Sequence, residues 1–430
     1  MPAGSDSTRN RHSNRCEMSD KFLWILTSLT AISINMNSTM FPSFLTSVLF
    51  GELESNEKKR SEPVTVKSTD RGSVNAGGIE SYAFSGMQGW RTSMEDAHMV
   101  CSSIPVIGGD HLSEGHAIFG VMDGHGGGFT SEFSAQHFVQ KFSQSKSLRD
   151  YAALSPTAQC DVPGIALLRP ALRDAFLSLD VEVRKRQKKI NQNLLNNMQQ
   201  DEDNVQIPRV KFERSGSTCV VVLVTPSHII CANAGDSRAV MRRNGKVLPL
   251  SFDHKPNDVP ELERIDKAGG FVKSKRVDGD LAVSRGLGDF SYKNNENLPV
   301  EKQKVIPDPE FVIYPRNIEK DEFIVLACDG VWDVATNEEC SNFVQDLLDQ
   351  GESDLGLMCE EAIDICLSKN SRDNMTMGLI TLKGAKMASE SNTRNVVLQR
   401  RKSRQRKTSG GASLLSLEQV SKQAVSVGSK

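Results

Sequence analysis

Six carboxylates in this chain are placed where cations could be held. Asp123 and Asp329 each end a short apolar run, at 117–122 and 323–328, and each is followed by glycine. Asp373 precedes another apolar run, while the pair Glu95-Asp96 and the single Asp236 mark further acidic corners. Carboxylates crowded together repel, so such a set makes physical sense chiefly around cations. Oxygen-only ligands suit Mg²⁺ or Mn²⁺, and His and Cys are too sparse around these positions for zinc. Two such ions roughly 3.5–4 Å apart can share a water and bring its pKa toward neutrality. That provides a hydroxide nucleophile without a Ser or Cys intermediate. A phosphate ester would also need a cation for its oxygens and an acid for its leaving group. Arg91, four residues before Glu95, fits the first need because guanidinium binds phosphate bidentately. His125, two residues beyond Asp123, fits the second because imidazole titrates near neutral pH.

Each feature alone has a plainer reading. A strand-end Asp-Gly is usually a turn, and Glu95-Asp96 reads as a solvated pair. Arg91 reads as a surface residue, His125 as a turn residue, Asp373 as a loop cap and Asp236 as a hairpin end. Their combination and strand context point to a site.

Rigid elements are needed to bring these groups together. Apolar runs bounded by turn residues read as buried strands at 117–122 and 323–328. A hairpin is predicted from 219–224 and 228–232 around Pro226-Ser227, with further strands at 82–90, 99–102, 239–241 and 375–382. Helical spacing is predicted over 129–142, 168–183, 260–268, 337–348 and 355–367, with Gly269 closing the third. The polar stretch 184–203 is expected to leave the core, with 191–203 an exposed insertion. Three regions follow: a flexible leader at 1–78, one catalytic domain at 79–385, and a basic, Ser-rich disordered tail at 386–430.

The 430 residues are 38% hydrophobic and 25% charged, which fits a soluble globular protein with a sizeable core. A formal net charge of −2 argues against whole-surface binding to nucleic acid or anionic membrane. Nine cysteines form no CxxC pair. Cys219, Cys231 and Cys328 lie in apolar runs, as core residues of a reducing compartment would. The apolar run 22–34 follows several cations but is short for a membrane span and lacks a clear cleavage site. Membrane anchoring there is an alternative to a cytoplasmic or nuclear protein. The basic run 399–407 reads equally as a localisation or nucleic-acid patch and as a solubilising tail.

Read together, several motifs closely resemble the metal-dependent serine/threonine protein phosphatases of type 2C. They begin with Gly89-Trp90-Arg91, Met94-Glu95-Asp96-Ala97-His98 and Asp123-Gly124-His125-Gly126-Gly127. Ser215-Gly216-Ser217-Thr218, Ala234-Gly235-Asp236-Ser237-Arg238, Ser284-Arg285 and Gly288-Asp289-Phe290 continue the series. Cys328-Asp329-Gly330-Val331-Trp332-Asp333 and Ser371-Arg372-Asp373-Asn374-Met375 complete it. The resemblance implies an α+β fold, a four-layer α-β-β-α sandwich of two antiparallel sheets flanked by helices. It implies two Mg²⁺ or Mn²⁺ ions and direct in-line attack by a bridging hydroxide on phosphoserine or phosphothreonine. Asp123 would bridge the ions, with Asp329 and Asp373 on one, and Glu95 and the Gly124 carbonyl on the other. Asp96 would sit close by, and Asp236 would serve a weaker third ion. Arg91 would hold the substrate phosphate and His125 would be the general acid. The implied partners are phosphoprotein substrates, with no nucleic acid for the catalytic domain and a monomeric state. A catalytically silent phosphatase-like binding protein is the alternative, although none of the expected carboxylates is missing. Departures from the pattern at Cys219, Gly286, Gly128 and the insertion 186–212 put substrate preference in doubt, as does the flap expected within 256–289.

Overall fold

The computed structural model describes residues 62–108, 111, 112, 114–200, 211–386, 388, 397, 399 and 402. The apolar run 22–34 and all but two residues of the basic run 399–407 lie outside them. Among the described residues no helix is long and apolar enough to cross a membrane.

The first strands are β1 (Val64–Ala76), β2 (Ile79–Gly89), β3 (Ala97–Cys101), β4 (Ala117–Met122) and β5 (Gly124–His125). Four helices follow: α1 (Phe129–Ser143), α2 (Lys146–Ala152), α3 (Pro156–Cys160) and α4 (Val162–Gln200). Next come β6 (Gly216–Ser217), β7 (Cys219–Val224), β8 (His228–Ala234), β9 (Arg238–Arg243) and β10 (Lys246–Pro249). Helix α5 (Val259–Lys267) leads to the short strands β11 (Val272–Lys273), β12 (Arg276–Val277) and β13 (Leu287–Gly288). The fold ends with β14 (Glu310–Pro315), β15 (Asp321–Ala327), α6 (Asp329–Trp332), α7 (Asn337–Asp349), α8 (Leu355–Ser368) and β16 (Met375–Leu382).

Two antiparallel sheets carry the structure, ordered β1-β2-β16-β15-β9-β10 and β14-β8-β7-β4-β3. Side-chain alternation divides their apolar residues into three layers. Phe119 and Val121 of β4 meet Ile324 and Leu326 of β15 between the sheets. Ile118 and Met122 of β4 face the other way, onto Phe138 and Phe142 of α1 and Leu172 and Phe176 of α4. Val325 and Ala327 of β15 likewise turn outward, to Phe343 and Leu347 of α7 and Ile363 of α8. Strands covered on both faces need unbroken apolar sequence. Each fully buried Val, Leu, Ile or Phe contributes about 1.5–3 kcal/mol, so β4 and β15 are stiff supports for the aspartates that follow them. The result is the expected α-β-β-α sandwich.

Two expectations need correction. Strand β1 runs from Val64 to Ala76, inside the stretch read as a flexible leader. β1 carries little apolar periodicity because backbone pairing to β2 holds it, from Lys67↔Met87 to Ser73↔Ser81. Polar bonds to α8 add to this, with Lys67 to Asp364 at 2.5 Å, Arg71 to Asp354 at 2.9 Å and Thr69 to Glu360 at 2.9 Å. The second concerns α4, which stays helical to Gln200. Its polar residue Gln187 is buried and donates to Thr130 Oγ1 at 3.0 Å and the Ser215 carbonyl at 2.8 Å. Residues 191–197 are mostly exposed, as expected, but as helix.

Candidate metal centre

The site gathers at one end of the sandwich, where strands from both sheets stop. Asp123 follows β4 and is clamped to the start of β7. Its N–H donates to Thr218 Oγ1 at 3.1 Å, and its carbonyl accepts from the Thr218 N–H at 2.9 Å. Glu95 lies in the loop from β2 to β3, which Asn374 fastens to the start of β16. Asn374 Oδ1 accepts from the Glu95 N–H at 2.9 Å, and its Nδ2 donates to the Gln88 and Ser93 carbonyls, each at 2.9 Å. The Glu95 carboxylate accepts from Ser93 Oγ at 2.6 Å and the Gly127 N–H at 3.1 Å. Backbone closeness accounts for Gly124, since a Cβ there would collide with the Glu95 carbonyl and Ser131 Oγ. Gly330, beside Asp329, is likewise required, because a Cβ would run into the Asn374 carbonyl.

The carboxyls crowd one another. Asp96, Asp123 and Cys328 present ligand atoms all within 4.8 Å of one another. Asp96 Oδ2 accepts from Thr376 Oγ1 at 2.7 Å, while its Oδ1 is buried with no hydrogen-bond partner. Burial, opposed by that hydrogen bond, pushes the Asp96 carboxyl up to about 6. Asp123 is held well above the usual carboxylate range by burial and then by the charges of Asp96, Asp329, Asp236 and Asp373. Burial, followed by Asp236 and Asp373, does the same to Asp329. The Cys328 thiol is raised by burial and then by the charges of Asp96, Asp123 and Asp329, so it stays protonated and takes the Thr376 N–H at 3.1 Å. Hard oxygen donors with an unsatisfied buried oxygen among them suit Mg²⁺ or Mn²⁺, and the residues present fit such ions.

The structure brings Asp96, Asp123, Asp236, Asp329 and Asp373 into mutual electrostatic reach. Asp236 is partly neutralised already, as Lys255 Nζ lies 2.7 Å from its Oδ2. Arg91, just past β2, donates to Asp373 Oδ2 at 2.6 Å and is half exposed. His125, on β5, places Nε2 2.9 Å from both oxygens of Asp289. Burial alone would lower this imidazole, but Asp289, then Asp236 and Glu95, hold it above its ordinary value.

Asp289, Asn374, Thr218, Thr376 and Lys255 are the contributors that the sequence did not single out as site residues. Asp289 reaches His125 through the small sheet β13-β6-β5, where Gly216 pairs with both Gly288 and His125. No local spacing reveals that pairing. The segment is pinned from α4, whose Asp180 Oδ1 accepts from the Gly288 N–H at 2.9 Å and from buried Lys293 Nζ at 2.7 Å. Further along the flap region lies a different kind of acid. Glu261 on α5 accepts from Arg264 Nη1 at 2.5 Å and Arg285 Nη2 at 2.6 Å.

A family model described as Protein phosphatase 2C matches residues 80–375. Protein phosphatase 1B of Mus musculus is 38% identical over 329 residues, 76% of each chain. Protein phosphatase 1A of Homo sapiens is 38% identical over 304 residues, 71% of each chain. The crystal structure of serine-threonine phosphatase 2C from Toxoplasma gondii shares the fold. It has a TM-score of 0.58 at 21% identity and covers 74% of this chain and 100% of that one.

Proposed function

Since this chain belongs to the protein phosphatase 2C family and is a protein phosphatase, we propose that it dephosphorylates phosphoserine and phosphothreonine with two Mg²⁺ or Mn²⁺ ions. Residues 79–385 would form its catalytic domain and phosphoproteins its partners. Asp123 would lie between the ions, with Asp329 and Asp373 holding one, and Glu95 and the Gly124 carbonyl holding the other. Asp96 would support them, and Asp236 would take a weaker third ion in place of its Lys255 contact. When bound, such ions supply a water of lowered pKa for in-line attack on phosphorus.

The rest falls to the chain's own groups. Arg91 uses one guanidinium nitrogen on Asp373, which leaves donors for two phosphate oxygens. His125 protonates the departing serine or threonine oxygen. Asp289 holds the ring through Nε2, so the transfer would run through Nδ1. The same contact favours the imidazolium, the form a general acid needs.

The observation that carries this reading is the orphaned Oδ1 of Asp96 beside Asp123, in a group of carboxyls that raise one another. A cluster built only for stability would have been given its cations by the fold. The test uses the full chain on a phosphothreonine peptide with Mn²⁺, with Mg²⁺ and with EDTA, beside Asp329→Asn. Turnover that needs metal and disappears in the variant is expected. A folded protein inert with both metals would overturn the reading.

A further inference from the structure

The register that sets Asp373 beside Arg91 also sets a second cation at the rim. Met375 of β16 lies opposite Met87 of β2. The same alignment, run back past the ladder, brings Arg372 opposite Trp90. There the Arg372 guanidinium lies over the indole, 4.5 Å from the ring centroid. The next residues along, Arg91 and Asp373, are the pair bonded at 2.6 Å. Two guanidiniums therefore leave adjoining backbone positions at the mouth of the carboxylate centre.

They are held in different ways. Arg91 is partly neutralised by Asp373, whereas an indole face orients Arg372 without cancelling its charge. Arg238 makes a useful contrast. It also stacks on a tryptophan, Trp332 at 5.2 Å, but is occupied by Asp253 at 2.9 Å and Asn337 at 2.7 Å. Arg372 is exposed, and among the described residues no carboxylate pairs with it. An oriented, uncancelled guanidinium at the edge of a binding site is a receptor for an anion. An extended peptide advances about 3.3–3.6 Å per residue. With the phosphoresidue on Arg91, a neighbour one or two positions away falls within reach of Arg372.

Given phosphatase activity at this centre, we propose that Arg372 is a specificity-determining residue that receives an anionic side chain flanking the phosphoresidue. The ligand chemistry is an oxyanion able to face a planar fork, from Asp, Glu or a second phosphoresidue.

The test compares kcat/KM of the full chain with Mn²⁺ on three phosphothreonine peptides. They are identical except for Gln, Glu or phosphoserine at the two neighbouring positions. The wild type is expected to prefer the Glu peptide by about two- to fivefold, the size of an exposed ion pair, and to lose that preference in high salt. A larger preference for the doubly phosphorylated peptide would identify phosphate as the better source of charge. Arg372→Ala should bring the ratios to about one, while Arg372→Lys should keep part of them. Arg169→Ala, which removes an exposed arginine stacked on Phe311, should leave the ratios at wild-type values. Equal turnover of all peptides by the wild type, or a preference that survives in Arg372→Ala, would overturn the proposal and leave the phosphatase reading intact. No turnover of any peptide by a folded wild type would overturn both.

Discussion

Glu261 and Asp96 are carboxyls with almost no solvent contact, 2% and 9% exposed, yet their surroundings act on them in opposite directions. Burial would raise Glu261, but the Arg285 hydrogen bond and the charges of Arg264 and Arg285 hold it down at about 2. Burial raises Asp96 to about 6, and its neighbours there are other acids. Two arginines complete the first site within the chain, so it behaves as part of the scaffold. The second is short of positive charge, and cations from solution must complete it. An acid's role is therefore read from what the fold places around it.

The contrast is most sharply tested by removing one charge from each site. Asp329→Asn should lower metal-dependent phosphatase activity by roughly 10³-fold or more. It should also raise the thermal midpoint of EDTA-treated protein, because one of several mutually repelling charges is gone. A variant that kept its activity would place Asp329 with Glu261 as a structural acid. Glu261→Gln should do the reverse and destabilise by about 3 kcal/mol, since two largely enclosed guanidiniums lose their counter-charge. Urea unfolding with and without metal would give that value, and a loss near zero would end the distinction.

Acid provides a graded version of the same experiment. Unfolded Glu261 takes up its proton near its ordinary 4.5 and the folded residue only near 2. In that window the unfolded chain binds more protons, so stability falls as pH falls. Of the wild type's advantage over Glu261→Gln, about 2 kcal/mol should disappear between pH 4.5 and pH 3. Denaturant midpoints of the two proteins across that range should converge; parallel curves would show that the ion pair contributes nothing. The smallest change expected is for Thr376→Val, which deletes the hydrogen bond to Asp96 Oδ2 while keeping the side chain's volume. A loss of about 1–2 kcal/mol by equilibrium unfolding is expected for a bond to a buried carboxyl.

How much of this was legible in the sequence depended on whether each group advertised itself locally. Asp123 and Asp329 did, because an apolar run that ends in Asp-Gly is visible without any tertiary knowledge. Asp289 did not announce its partner. It lies 164 residues from His125 and meets it only through a three-stranded sheet of two-residue strands. Lys255 was hidden for the same reason, since nothing in a Lys-Pro dipeptide tells that its ammonium will lie on Asp236. β1 escaped because its stability comes from backbone pairing and ion pairs to α8, and side-chain periodicity records neither. The sequence reads the polar end of α4 as leaving the core because Gln187 looks like a surface residue. Its burial is explained only by the Thr130 and Ser215 groups it satisfies. Helix and strand positions fixed by apolar spacing, such as α7, α8 and β16, fell where that spacing placed them.

The position of β16 has a consequence for how the protein is made. β16 is made after every other strand of the described residues, yet it lies in the interior of its sheet, between β2 and β15. On the ribosome, β2 therefore waits for its second neighbour until residues 375–382 emerge, roughly a quarter of a minute to a minute later. Throughout that interval β2 presents an unpaired edge, the form of backbone most prone to joining another chain, and β15 does so from the time residues 321–327 are made. Nascent chains of this protein should depend on chaperones late in translation. A premature stop before residue 375 would leave a sheet split down its middle rather than a shortened enzyme.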